Sequence, residues 1–305
     1  MSNYTNEPDL SGIRSERIER LLQWDRYDEA LREAGEWLRE QPEEPEPYNA
    51  LATIYMNMEQ YDKALECTAQ ALRIEPDHED AWVLRAFVYY DTQEWALMQQ
   101  ATDEALRINP YRVHLYYLLS NMYNRQGKFQ QALEQIKEGL RLQPQTGLYL
   151  ALYSYVLANL NQMDASQEAA IHALQYDVEH AQTFMYLGWA AERRGDAKTA
   201  KQMMEQAIRL EPNNEQIRTE YMEALQKNYW FYRIFTLPLF LRKLKRWQLI
   251  LLWMSAWIVF RPLLIVLIIL YLFSHVLSKL FVHLQVYGWH RAPKKKKQSR
   301  SKKKK

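Results

Sequence analysis

From about residue 11 to residue 227, apolar side chains recur at three- and four-residue spacing between charged ones, which predicts a succession of amphipathic helices. The pattern itself recurs with a fixed period. Pro42, Pro76, Pro110 and Pro144 lie 34 residues apart; the next positions in that register are Val178 and Pro212. Small or compact residues stand twelve positions before each: Ala30, Ala64, Met98, Ala132, Ser166 and Ala200. A second small column, Ala71, Ala105, Gly139, Ala173 and Ala207, is replaced by Trp37 in the first unit. Large residues begin the second helix of each unit at Tyr27, Tyr61, Trp95, Phe129 and Met163, with Ala197 in the last. Earlier in the unit Tyr48, Trp82, Tyr116, Leu150 and Phe184 are each followed four residues later by Ala52, Ala86, Ser120, Ser154 and Gly188.

Each period therefore reads as two helices. Small residues let them approach where they cross, large ones fill the adjacent holes, and the proline, which lacks an N–H, ends the second helix. A single pair cannot bury its apolar face, so neighbouring pairs must stack. Boundaries fall at 11–44, 45–78, 79–112, 113–146, 147–180 and 181–214, with a closing helix over 215–227 and a polar segment over 1–8. Arg14 and Arg17 in the first unit occupy otherwise apolar positions, as a polar-faced terminal cap requires.

This register of large, small and proline positions resembles the tetratricopeptide repeat family. The likeness covers residues 9–212 and extends, with the closing helix, to a domain over 9–227. It implies an all-α fold, a right-handed superhelix of about six helix-turn-helix repeats, followed here by membrane helices. It also implies a scaffold rather than an enzyme, with a protein or peptide partner held in a concave groove lined by the first helix of each repeat. The positions that match this groove carry Phe87, Tyr90, Tyr117, Asn121, Tyr155 and Trp189, beside acidic Glu46 and Asp80. The same aromatics could equally pack against the next repeat. The positions of the family's carboxylate-clamp subclass, Ser15, Glu19, Asn49, Ala50, Asp80 and Leu84, offer no cations, which argues against a chaperone tail as the ligand.

Beyond residue 228 the character of the chain changes. Residues 229–305 hold 17 of the 39 basic side chains and none of the 37 acidic ones, so a net −15 body precedes a net +17 tail. Residues 247–277 include 19 Leu, Ile, Val and Phe and one charge, Arg261, next to Pro262. At about −0.4 kcal/mol each, the apolar residues outweigh about +3 kcal/mol for a central Arg, which favours membrane insertion. The segment 228–246 is basic and aromatic, 247–284 is the spanning segment or hairpin, and 285–305 is a Lys-rich tail too charged to fold. Arg242, Lys243, Lys245, Arg246, Arg261 and Lys279 are the residues expected to meet lipid, anionic headgroups above all. Basic clusters on both sides of the run favour a hairpin turning at Arg261–Pro262 with both ends cytoplasmic; one kinked span is the competing reading. With no apolar run near Met1, no cleavable signal precedes the repeats, which are expected in the cytoplasm under an integral membrane anchor. Nucleic acid or a ribosome is the alternative partner for the lysine tail, although no aromatic residue interleaves with those lysines.

Candidate chemistry is sparse. The single cysteine, Cys67, excludes an intramolecular disulfide, and the eight glycines form no phosphate loop. His275 and His283 lack a companion carboxylate. No catalytic, cofactor-binding or metal-binding residue is expected.

Overall fold

The computed structural model describes residues 10–176, 179–229 and 246–287, and all of the regular structure among them is helical. Thirteen helices of 11 to 14 residues run α1 Leu10–Gln23, α2 Tyr27–Glu40, α3 Pro45–Asn57, α4 Tyr61–Ile74, α5 Glu79–Asp91, α6 Trp95–Ile108, α7 Val113–Arg125, α8 Phe129–Leu142, α9 Gly147–Asn159, α10 Met163–Ala173, α11 Ala181–Arg194, α12 Ala197–Leu210 and α13 Glu215–Asn228. One long helix follows, α14 Arg246–Tyr287. The chain divides into two compact units, Met1–Tyr149 and Leu150–Lys305.

Each second helix begins on the residue of its column, large in the first five units and Ala197 in the last, and the small columns lie inside. Ala52, Ala86, Ser120 and Ser154 have no exposed surface, nor have Ala30, Ala132 and Ser166. Close packing leaves a hydroxyl at these crossings no water to bond, so each finds backbone instead. Ser120 Oγ donates to the Ala132 carbonyl at 2.9 Å, and Ser154 and Ser166 exchange such bonds at 2.8 Å each. Arg194 Nη1 adds a third donor to Ser166 Oγ at 2.7 Å, and burial holds that guanidinium below its usual range. At Gly188 an added Cβ would stand 2.8 Å from Met204 Cε, so this crossing requires glycine as long as Met204 keeps its place.

The proline and aromatic columns are joined by a bond. Tyr48 Oη donates to the Pro42 carbonyl (3.3 Å), Trp82 Nε1 to Pro76 (2.9 Å) and Tyr116 Oη to Pro110 (3.0 Å). Arg218 repeats the contact with Pro212 at 2.9 Å. Each fastens the first turns of a helix to the linker before it. Arg14 and Arg17 do not simply face water: they pair with Glu40 (2.5 Å) and Glu33 (3.3 Å) of α2.

The turn within each pair has its own register. Asp25, Glu59, Gln93, Gly127, Asn161 and Gly195 all have positive φ, between 55° and 84°, at 34-residue intervals. The following N–H bonds the carbonyl five residues back in the Schellman manner, as in Gln60 N to Tyr55 O (2.8 Å) and Asp196 N to Ala191 O (2.9 Å). Glycine meets this demand without steric cost, whereas Glu59 and Gln93 carry a Cβ into the left-handed region. Glu59→Gly and Gln93→Gly should each raise stability by about 0.5–1 kcal/mol. Urea unfolding of the two single variants checks this; a loss at either would mean that its side chain holds the turn.

The C-terminal segment departs from the hairpin reading. α14 passes through Arg261 and Pro262 as helix, so the expected turn is not made there. A proline removes one helical hydrogen bond, which kinks a helix more readily than it reverses one. Residues 1–8, the Val178 position, Arg242, Lys243, Lys245 and the 288–305 tail lie outside the described residues.

Candidate functional site

The expected groove residues fall into two local clusters, one in each unit. In the first, Phe87 on α5 stacks on His114 of α7 (5.9 Å between centroids), and Tyr117 of α7 stacks on Tyr149 of α9 (5.3 Å). Tyr90 meets Trp95 edge-on at 5.9 Å, with the Arg125 guanidinium 5.2 Å from its ring. Burial pushes the Tyr90 phenol up, against the pull of Arg125. Burial, then the Arg112 cation, hold the His114 imidazole low. Asn121 shares a register column with Phe87, Tyr155 and Trp189 but is 4% exposed, so it presents almost no surface. Asp80 is paired with Arg112 at 2.5 Å, which ties up one of the acidic groups expected beside the groove.

In the second unit the site is more open. Tyr155 of α9, Tyr186 and Trp189 of α11 form a three-ring cluster, with Trp189 5.6 Å from each of the other two. Trp189 Nε1 donates to Glu220 Oε2 of α13 at 2.8 Å. Lys227, also on α13, bridges back to Glu192 on α11 at 2.6 Å and reaches Glu223 at 3.6 Å. Tyr155, Trp189, Glu192, Glu220 and Lys227, with Arg193 and Asn159, line a groove of about 580 Å³. Its floor is aromatic and its rim carries both signs of charge. Such a surface suits an extended polypeptide, because rings supply contact area at low entropy cost while the rim fixes register.

The sequence pointed to Tyr155 and Trp189 but passed over Glu192, Glu220 and Lys227. The available signal was position: Glu223, one turn from Glu220 and Lys227, is 34 residues beyond Trp189 and so continues its column. Among the lipid-facing candidates, Arg246 and Arg261 lie on α14, and Lys279 is exposed on it. Residues 265–285 of α14 have the length and mean hydropathy, 2.3, of a membrane-crossing helix. This is the one such helix among the described residues. Cys67 is half-buried; burial, then Glu66, push its thiol up to about 11, which suits packing rather than reactivity.

Tetratricopeptide repeat models match three segments of the chain, one over residues 45–78 and a second over 113–146 and 181–214. No curated protein sequence matches significantly. Among solved structures, pilF of Pseudomonas aeruginosa superposes with a TM-score of 0.58 at 19% identity, covering 70% of this chain and 95% of that one. PilW, described as a widely conserved type IV pilus biogenesis factor, gives 0.56 at 20% identity over 69% of this chain and 98% of its own. A chain of the APC/C hetero-tetramer Cut9–Hcn1 gives 0.59 at 18% identity, over 70% of this chain and 42% of that chain. At these identities the likeness establishes the fold alone. The chain carries tetratricopeptide repeats, a scaffold typical of protein–protein interaction and as a rule non-catalytic.

Proposed function

We propose that this protein is a membrane-anchored scaffold that binds a protein or peptide partner through its repeats and holds it at the cytoplasmic face of a membrane. The observation that carries the reading is the surface of α14 over residues 265–273. All nine side chains are apolar or aromatic, and each is 42–61% exposed. An α-helix that is apolar on every side has no face suited to water and needs lipid or a covering partner. The 21 residues 265–285 rise about 31 Å as a helix, close to the roughly 30 Å of a bilayer core. Basic residues on both flanks of the apolar run suit anionic headgroups.

On the partner side, the open ring cluster of Tyr155 and Trp189 supports binding in the second unit. Replacing both by alanine should weaken partner capture about 30-fold, as expected for the loss of about 2 kcal/mol from an aromatic hot spot. Crosslinking in intact membranes, comparing the double variant with the parent, measures this. Helix content and membrane association should be unchanged. Undiminished capture would remove the groove assignment, and a parent protein that stays soluble without detergent would remove the anchor.

A further inference from the structure

Several rings of the first unit are supplied with cations by the chain itself. The Arg125 guanidinium lies 5.2 Å from the Tyr90 ring, and that of Arg85 lies 5.8 Å from Trp82 and 5.5 Å from Tyr89. Lys63 stands 5.2 Å from Tyr55, and Lys128 5.9 Å from Tyr123. A cation within about 6 Å of an aromatic face is attracted by the ring quadrupole, most strongly for tryptophan. Tyr155 and Trp189, half-buried in the groove of the second unit, have no such cation over them among the described residues. The register explains the difference. Arg193 stands two repeats beyond Arg125, but the matching position for Tyr90 is taken by Ala158. Arg193 thus has no ring to cover, and it is exposed at the rim.

The carboxylates beside these rings are only partly neutralised. Glu192 and Glu223 share one cation, Lys227, at 2.6 and 3.6 Å. Glu220 has no ion pair among the described residues; its Oε2 accepts from the neutral Trp189 indole at 2.8 Å. Three carboxylates therefore stand against two cations, Arg193 and Lys227. The ionised group bonded to the Trp189 indole is an acid, and the bond fixes the orientation of the ring.

We infer that this groove receives a lysine or arginine side chain of the polypeptide partner, seated on the faces of Tyr155 and Trp189 with Glu220 as its counter-charge. This deepens the groove reading above and rests on it. The rings cover the aliphatic stem of such a side chain and attract its head, and Glu220 adds a Coulombic attraction that a neutral residue does not feel. Arg193, one helical turn beyond Trp189 on α11, repels a second cation. The site therefore selects an isolated basic residue rather than a basic run.

The test uses the full-length protein in detergent micelles and short capped peptides selected on it from a random library, with affinities read by fluorescence anisotropy. Peptides that lose binding with Tyr155→Leu plus Trp189→Leu, which keeps apolar bulk but removes the ring faces, report on the groove. They should contain arginine or lysine, and citrulline for arginine, which keeps the shape without the charge, should lower affinity about 10-fold. Glu220→Gln retains an acceptor for Trp189 Nε1 and removes only charge. It should weaken the arginine peptides about 5-fold and leave the citrulline peptides unchanged. Arg193→Gln should strengthen the arginine peptides about 2-fold, the opposite of its effect if Arg193 were itself the recognition group. Equal affinity of citrulline and arginine peptides, or weaker binding with Arg193→Gln, overturns the cation site while the groove reading stands. The citrulline comparison changes the ligand alone, so it holds whatever the variants do to the fold. If no selected peptide depends on the rings, the groove reading falls and the cation site with it.

Discussion

Trp37→Ala should destabilise the N-terminal repeats by about 3–5 kcal/mol, the usual cost of emptying a buried tryptophan site. Trp37 is 1% exposed and packs in one cluster with Ile18, Leu21 and Ile54, contributed by α1 and α3 on either side of its own helix. Its column holds alanine or glycine in every other repeat. The terminal pair explains the exception: α1 is the first described helix and is polar over much of its length, so one large side chain supplies burial that several small contacts supply elsewhere. The loss should also be local. In a repeat array each unit is held by its neighbours, so weakening the first need not unfold the fifth. Amide exchange should accelerate in α1 and α2 while α11 and α12 keep their protection, and thermal unfolding should acquire an early step of two 14-residue helices. A uniform loss of protection throughout the chain would contradict a nearest-neighbour array.

Helix starts were legible because Tyr27, Tyr61, Trp95, Phe129, Met163 and Ala197 sit at one phase of a fixed period, and burial enforces that phase in each unit. Tyr48, Trp82 and Tyr116 were legible as large residues but not as donors to proline carbonyls, since a bond across a linker leaves no trace in hydrophobicity. The left-handed turn was hidden because only Gly127 and Gly195 among its six positions carry glycine, and Asp25, Glu59, Gln93 and Asn161 look like ordinary loop residues. Within the groove column, register gave equal standing to Asn121 and Trp189, whereas exposure depends on what each neighbouring helix places above the position. At the C-terminus, composition identified an apolar segment, but Pro262 suggested a reversal where the backbone continues as helix. Ser274 and Ser278 interrupt the apolar run at helical spacing, and both are buried.

Leu267→Asp combined with Ile269→Asp should convert the protein from alkali-resistant to alkali-extractable. On translocon-derived scales a mid-helix Asp costs about 2.5–3.5 kcal/mol and forfeits about 0.5 kcal/mol from the residue it replaces, so the pair costs about 6–8 kcal/mol. That is close to the whole gain of about 8 kcal/mol from the 19 large aliphatic and Phe side chains of 247–277. The two positions point to nearly opposite sides of α14 at 100° per residue, so no single covering protein surface on one face could explain equal sensitivity at both. Neither side chain is buried in the fold: Leu267 is 46% exposed and Ile269 59%. Unfolding of the repeat body should therefore be unchanged, which separates loss of insertion from loss of structure. The companion Leu267→Ala with Ile269→Ala, which removes bulk without charge, should remain in the membrane. If the Asp pair stays alkali-resistant, lipid is not what surrounds this helix, and its exposed apolar surface must be accounted for by a protein that encloses it on all sides.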